Sequence, residues 1–76
     1  MAEPAILDAK GLRCPLPVLK ARKALKVLPA GSVLRVLATD PGAIKDFEAF
    51  CKTTGYRLLN ASQDGDVLTF NIEKIE

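Results

Sequence analysis

Three short turn-forming runs, Pro29-Ala30-Gly31, Asp40-Pro41-Gly42 and Asp64-Gly65-Asp66, cut the chain into segments whose apolar spacing changes from one to the next. That alternation restricts the fold more than any other feature of the sequence. Residues 5–9, "AILDA", read as a short strand. Residues 15–28 read as a helix, with Val18, Ala21, Ala24, Leu25 and Leu28 on one side at 3.6-residue spacing and Arg22, Lys23 and Lys26 elsewhere. The Val- and Leu-rich run 32–39 reads as a strand. A second helix is expected at about 41–54, with Asp40 as N-cap and Pro41 in the first helical position. Ile44, Phe47 and Cys51 are assigned to its inner face, and Gly55 to its end. Strands at 56–63 and 67–75 flank the Asp-Gly hairpin signal, and Leu68, Phe70 and Ile72 alternate with polar residues in the last of them.

Two strand–helix–strand crossovers of this length imply parallel pairing and right-handed connections, and the hairpin adds an antiparallel pair. The fold class that follows is an α/β two-layer sandwich of order β-α-β-α-β-β. Its mixed four-stranded sheet carries both helices on one face. With 76 residues the chain is read as a single domain, 1–76, that buries only about 60 % of its unfolded surface. Such a chain has little room for an enclosed substrate cavity, so function belongs on its surface.

The net charge of +2 conceals an uneven distribution. Residues 9–39 hold seven bases and no acid, while residues 40–76 hold four bases against seven acids. A basic half either solvates one helix face or attracts nucleic acid or an acidic protein. The N-terminal run "MAEPAILDA" has no signal-peptide pattern, and no apolar stretch is long enough to span a bilayer. The expected location is the cytoplasm, where thiols stay reduced. The two cysteines, Cys14 and Cys51, are far apart and form no C-x-x-C motif, and a disulfide between them has no support from spacing or compartment. With no histidine, a metal site would need an unusual ligand set, and a Cys–His nucleophilic pair within the chain is ruled out. No metal or cofactor is expected. A cysteine that carries a group remains open.

The run "GLRCPLPVLKARKAL", residues 11–25, places Cys14 at or next to a helix N-cap, with Pro15 and Pro17 in the first turn. First-turn amides have no intrahelical acceptor, so the prolines cost little there and stiffen the backbone. Gly11 is expected to supply the turn between strand and helix. A helix N-terminus favours an anion, and with Arg13 adjacent the thiol pKa is expected to fall from about 8.5 to about 7. A lone cysteine is otherwise most often a small buried hydrophobe. That reading suits Cys51, on the inner face of the second helix, better than Cys14 in a surface turn. Leu16 and Leu19 project away from the apolar stripe near Cys14, and with Lys20 they suit a surface for docking a partner protein.

The stretch "LDAKGLRCPLPVLKARKAL", continued through "LRVLATDPGAIKDFEAFCKTTGY" and the closing hairpin, resembles the TusA/SirA-like sulfur carrier family over about residues 6–75. The resemblance implies a two-layer β-α-β-α-β-β fold and a persulfide carried on Cys14. Pro15 and Pro17 would hold the backbone rigid, and Arg13 would support the anion. It further implies a cysteine desulfurase or other sulfur donor, a downstream sulfur-relay protein, and a role in tRNA thiolation, molybdenum cofactor synthesis or sulfur oxidation. Such a protein acts by persulfide relay rather than as an independent turnover enzyme. Members that serve tRNA thiolation carry an acidic residue between the prolines where this chain has Leu16. That difference bears on the partner and not on the carrier chemistry.

Sulfur transfer between thiols requires a thiolate and access, and on this reading no proton relay. Two alternatives come from other classes. A small RNA-binding module would use the basic segment 10–35, but the only aromatics are Phe47, Phe50, Tyr56 and Phe70, of which Phe47 and Phe70 are assigned to the core. Few stacking platforms remain, which argues against direct nucleic-acid binding. A regulatory protein-interaction module would use Leu16, Leu19 and the lysines, with the thiol incidental.

Overall fold

A computed structural model describes residues 5–75. The elements are β1 (Ala5–Ala9), α1 (Leu16–Val27), β2 (Val33–Ala38), α2 (Ala43–Thr54), β3 (Arg57–Asp64) and β4 (Val67–Glu73), in the expected β-α-β-α-β-β order. They form a two-layer sandwich with one four-stranded mixed sheet of order β1-β2-β4-β3. β1 runs parallel to β2, with Ala5 opposite Leu34 and Ala9 opposite Ala38. β4 pairs antiparallel with both β2 and β3. β2 and β3 therefore run the same way without touching, because the C-terminal strand inserts between them. Of the two crossovers, only the first joins strands that pair directly.

Alternation in β2 and β4 puts Leu34, Val36, Ala38, Leu68, Phe70 and Ile72 on the helix-covered face, all buried. α1 adds Pro17, Ala21 and Leu25, and α2 adds Ala43, Phe47 and Cys51. The two largest core side chains meet across the layers, with the Phe47 and Phe70 rings stacked at a centroid distance of 4.6 Å. Burying a side chain of that size contributes about 1.5–3 kcal/mol. Phe50 and Tyr56 extend this aromatic line edge-on at the core's margin.

Two details of the helices differ from the expected packing. Pro17, at the second position of α1, is fully buried, so it fills core volume as well as fixing φ. In α2, Ala43 takes the inner position while Ile44 is 38 % exposed. The helix begins two residues later than 41; Phe47 and Cys51 hold the expected inner face, and Ala43, four residues before Phe47, takes the place assigned to Ile44. Asp40 is not its N-cap and Pro41 lies outside it; the N-cap is Gly42, without a side-chain cap. At the other end Gly55 adopts φ +81 and its amide bonds the Cys51 carbonyl at 2.9 Å, the left-handed stop expected there. The C-terminus of α1 is closed from a distance, with Lys74 Nζ donating to the Leu28 carbonyl at 2.7 Å.

Candidate functional site

β1 and β2 are parallel neighbours, so the loops after them leave the sheet at the same edge. The carboxyl ends of parallel strands are where α/β sheets place their ligands. Here the edge holds Cys14, from the β1–α1 loop, beside Asp40 and Gly42, from the β2–α2 loop. Gly11 turns the first loop with φ +82, a backbone that a side chain would strain, and its amide bonds Thr39 Oγ1 at 2.9 Å. Arg13 to Leu16 then form a hydrogen-bonded turn, Leu16 N–H donating to the Arg13 carbonyl at 2.9 Å. Pro15 is the N-cap of α1 and its carbonyl accepts from the Leu19 amide at 3.1 Å. The Cys14–Pro15 peptide is cis. Cys14 is exposed and directly precedes the N-cap, as the sequence leads one to expect.

Asp40 ties the two loops together. One carboxylate oxygen accepts the Cys14 amide at 2.5 Å and the other accepts the Gly42 amide at 3.0 Å. These two backbone donors hold its carboxyl below the usual range, and the charge of Arg13 acts in the same direction. The guanidinium of Arg13 thus acts on Asp40. Gly42 lies against the cysteine, and a Cβ there would stand 3.6 Å from Cys14 Cβ and 3.9 Å from its Sγ.

The thiol does not face empty solvent. Cys14 Sγ–H donates to Asp46 Oδ2, from the first turn of α2. That hydrogen bond, then desolvation and the negative charges of Asp46 and Asp40, push the thiol up from 9.0 to about 11. The expected fall toward neutrality is reversed. A helix N-terminus offers about half a positive charge spread over its first turn, whereas Asp46 brings a full negative charge into contact with the sulfur. The nearer and larger charge wins. Beside this pair an open groove of about 380 Å³ runs between the helices, lined by Pro15, Val18, Arg22, Asp46, Ala49 and Phe50 among others.

The other expected residues also have definite places. Leu16 and Leu19 are 46 % and 52 % exposed on α1, and Lys20 is exposed beside them. Cys51 is buried in the core and free, remote in role from Cys14. No sequence motif marks Asp46, and the Asp-Pro-Gly run points to Asp40 as a helix cap rather than as a brace between loops. A signal for both existed, because two parallel neighbouring strands bring the loops that follow them together, and an acid in the first turn of α2 must then lie near the start of α1. Among the described residues no group of three or more side chains could hold a metal ion. No helix among them is long and apolar enough to cross a membrane.

The fold and site define a class: a small α/β sandwich that presents one surface cysteine where two helices begin, beside an open groove. Residues 5–74 match the family described as Sulfurtransferase TusA. The chain belongs to the TusA family. It is 52 % identical over 68 residues to the sulfur carrier protein TusA of Allochromatium vinosum, covering 90 % of each chain. It is 41 % identical over 70 residues to the sulfur carrier protein TusA of Pseudomonas putida, covering 92 % of this chain and 88 % of that one. Among solved structures, a SirA-like protein of Desulfitobacterium hafniense superposes with a TM-score of 0.81 at 30 % identity, covering 95 % of this chain and 99 % of that one.

Proposed function

We propose that this chain acts as a single-domain sulfur carrier in which Cys14 accepts a sulfane sulfur as a persulfide and surrenders it to an acceptor thiol. The observation that carries the reading is the exposure of Cys14 on a loop braced by Asp40, in a chain whose relatives are named sulfur carriers. A carrier thiol must be reached by the reactive sulfur of two different partners, and a surface turn at the sheet edge allows that where a cleft would not. The donor is a cysteine desulfurase or another persulfide-bearing protein, and the acceptor is a downstream relay protein. Leu16, Leu19 and Lys20 form the docking surface beside the thiol, Pro15, Pro17 and Gly11 fix the loop, and Arg13 acts through Asp40. The reaction is a relay with no independent turnover, in a reducing compartment such as the cytoplasm.

Direct nucleic-acid binding has no part in this reading. Phe47 and Phe70 are buried, and Phe50 and Tyr56 are half-buried against the core, which leaves few open stacking platforms. The test uses labelled cysteine and a cysteine desulfurase. Wild type and Cys51→Ala are expected to take up reductant-labile sulfur, and Cys14→Ser to take up none while retaining its circular dichroism spectrum. Uptake by folded Cys14→Ser would refute the assignment.

A further inference from the structure

The hydrogen bond between Cys14 and Asp46 poses a chemical problem for any sulfur carrier. A protonated thiol is a poor nucleophile toward sulfur, and a thiolate of high basicity is a poor leaving group when the persulfide is discharged. Both difficulties involve the same proton, and Asp46 Oδ2 already holds its acceptor end.

We propose that Asp46 is a catalytic residue of the sulfur relay, taking the proton of Cys14 during loading and passing a proton to its sulfur during discharge. The proposal rests on the carrier reading above. In loading, Cys14 Sγ attacks the outer sulfur of a donor R–S–SH while its proton moves to Asp46. The Sγ–S bond forms, the donor S–S bond breaks, and R–S⁻ departs, collecting the proton from Asp46. The balance is Cys14–SH + R–S–SH giving Cys14–S–SH + R–SH, with no net oxidation. In discharge an acceptor thiol R′–SH attacks the outer sulfur of Cys14–S–SH while its proton passes to Asp46 and from there to the departing Cys14 sulfur, giving Cys14–SH + R′–S–SH.

The charged groups around the pair suit this task. Asp46 from α2 and Asp40 from the β2–α2 loop both bear on the thiol and oppose a standing thiolate. Arg13, from the β1–α1 loop, bears on Asp40, and Arg22, from α1, lines the groove that Asp46 also lines. No cation is found in hydrogen-bonding contact with the thiol among the described residues. The resting protein therefore keeps the sulfur protonated and resistant to stray electrophiles, and the proton leaves only as a persulfide arrives. Asp46 occupies the side of the thiol where α2 begins, leaving the outward side for the attacking sulfur. This reverses the expectation that transfer needs no proton relay.

The test compares wild type, Asp46→Asn and Asp46→Glu, with glutathione persulfide as the donor probe. Two readouts are taken: the thiolate absorbance of Cys14 against pH, and the single-turnover rate of sulfur loading at pH 7. In Asp46→Asn the thiol should ionise at lower pH, yet load at least about tenfold more slowly, in line with the loss of a general base. Asp46→Glu, which keeps a carboxylate, should restore part of the rate. A merely structural role would move ionisation and loading together, and loading by Asp46→Asn at or above the wild-type rate would overturn the proposal.

Wild type alone supplies a second test that does not depend on the variants folding. Its reaction with methyl methanethiosulfonate, a reagent that does not titrate, should level off above the carboxylate range. A rise of tenfold per pH unit from pH 6 to 8 would show that only bulk ionisation matters. Failure of wild type to load Cys14 at all would instead remove the carrier reading itself, so the two failures are distinct.

Discussion

Two carboxylates with different duties surround one sulfur. Asp40 is structural: its two oxygens hold the amides of Cys14 and Gly42, and its lowered pKa records that work. A carboxyl depressed in the folded state stabilises the protein fully above its unfolded pKa of about 3.9, and that contribution is lost as the pH falls through the lower folded value. Asp40→Asn should therefore lower the thermal midpoint at pH 7 and make the midpoint less sensitive to pH below about 4, as melts across pH 2–7 would show. Gly42 has a different role. Its φ of −66 suits any residue, so Gly42→Ala should change stability by less than about 1 kcal/mol in a denaturant titration. The added Cβ nevertheless stands against the thiol. Alkylation of Cys14 by a bulky maleimide should slow in that variant more than alkylation by iodoacetamide, and equal slowing would contradict the placement. Sequence patterns exposed Cys14 and its rigid setting, because prolines and glycines are local signals. They did not expose its protonation, which is decided by a carboxylate 32 positions away.

At the scale of elements, the 2-residue alternation of β4 is plain in the sequence, while α2 begins two residues later than its Asp-Pro-Gly run predicts. The Asp-Pro-Gly run supplies the N-cap pattern, but tertiary contact claims the Asp40 side chain for the neighbouring loop. Helix α2 consequently starts at Ala43. The effect is visible in which residues face inward, and a denaturant titration can measure it. Phe47→Ala should cost about 3–5 kcal/mol, most of the stability of a domain this small. Ile44→Ala should cost less than about 1 kcal/mol, because that side chain is more than a third exposed. Comparable losses for the two would contradict the placement of Ile44 outside the inner face. β3 was legible as a strand but not as an edge. It is exposed along nearly its whole length and carries a register shift between Leu58 and Asn60. Bulges of this kind disrupt an edge that could otherwise recruit another chain. The order β1-β2-β4-β3 lay beyond local pattern, since the insertion of β4 depends on which pairing buries Leu68, Phe70 and Ile72 against α2.

The described residues span about 29 × 26 × 18 Å and present the thiol at one edge. Its basic half extends from that edge along α1 through Lys20, Arg22, Lys23 and Lys26, all exposed. If partners are steered to this face by charge, association with a cysteine desulfurase should slow as salt rises past the point where the Debye length is about 8 Å. Lys20→Glu with Lys23→Glu should reduce the on-rate in stopped-flow measurements while leaving the fold intact, and a rate indifferent to both salt and substitution would argue against steering. The central claim is narrower: Cys14 takes up a sulfur and gives it away. The most direct measurement is the intact mass of the protein after loading by a desulfurase, removal of the donor, and a chase with an excess of acceptor thiol. The account predicts a gain of one sulfur atom, mapped to the Cys14 peptide, that disappears on the chase and returns the original mass. A protein that gains no sulfur, or gains one that stays through the chase, would not be a carrier.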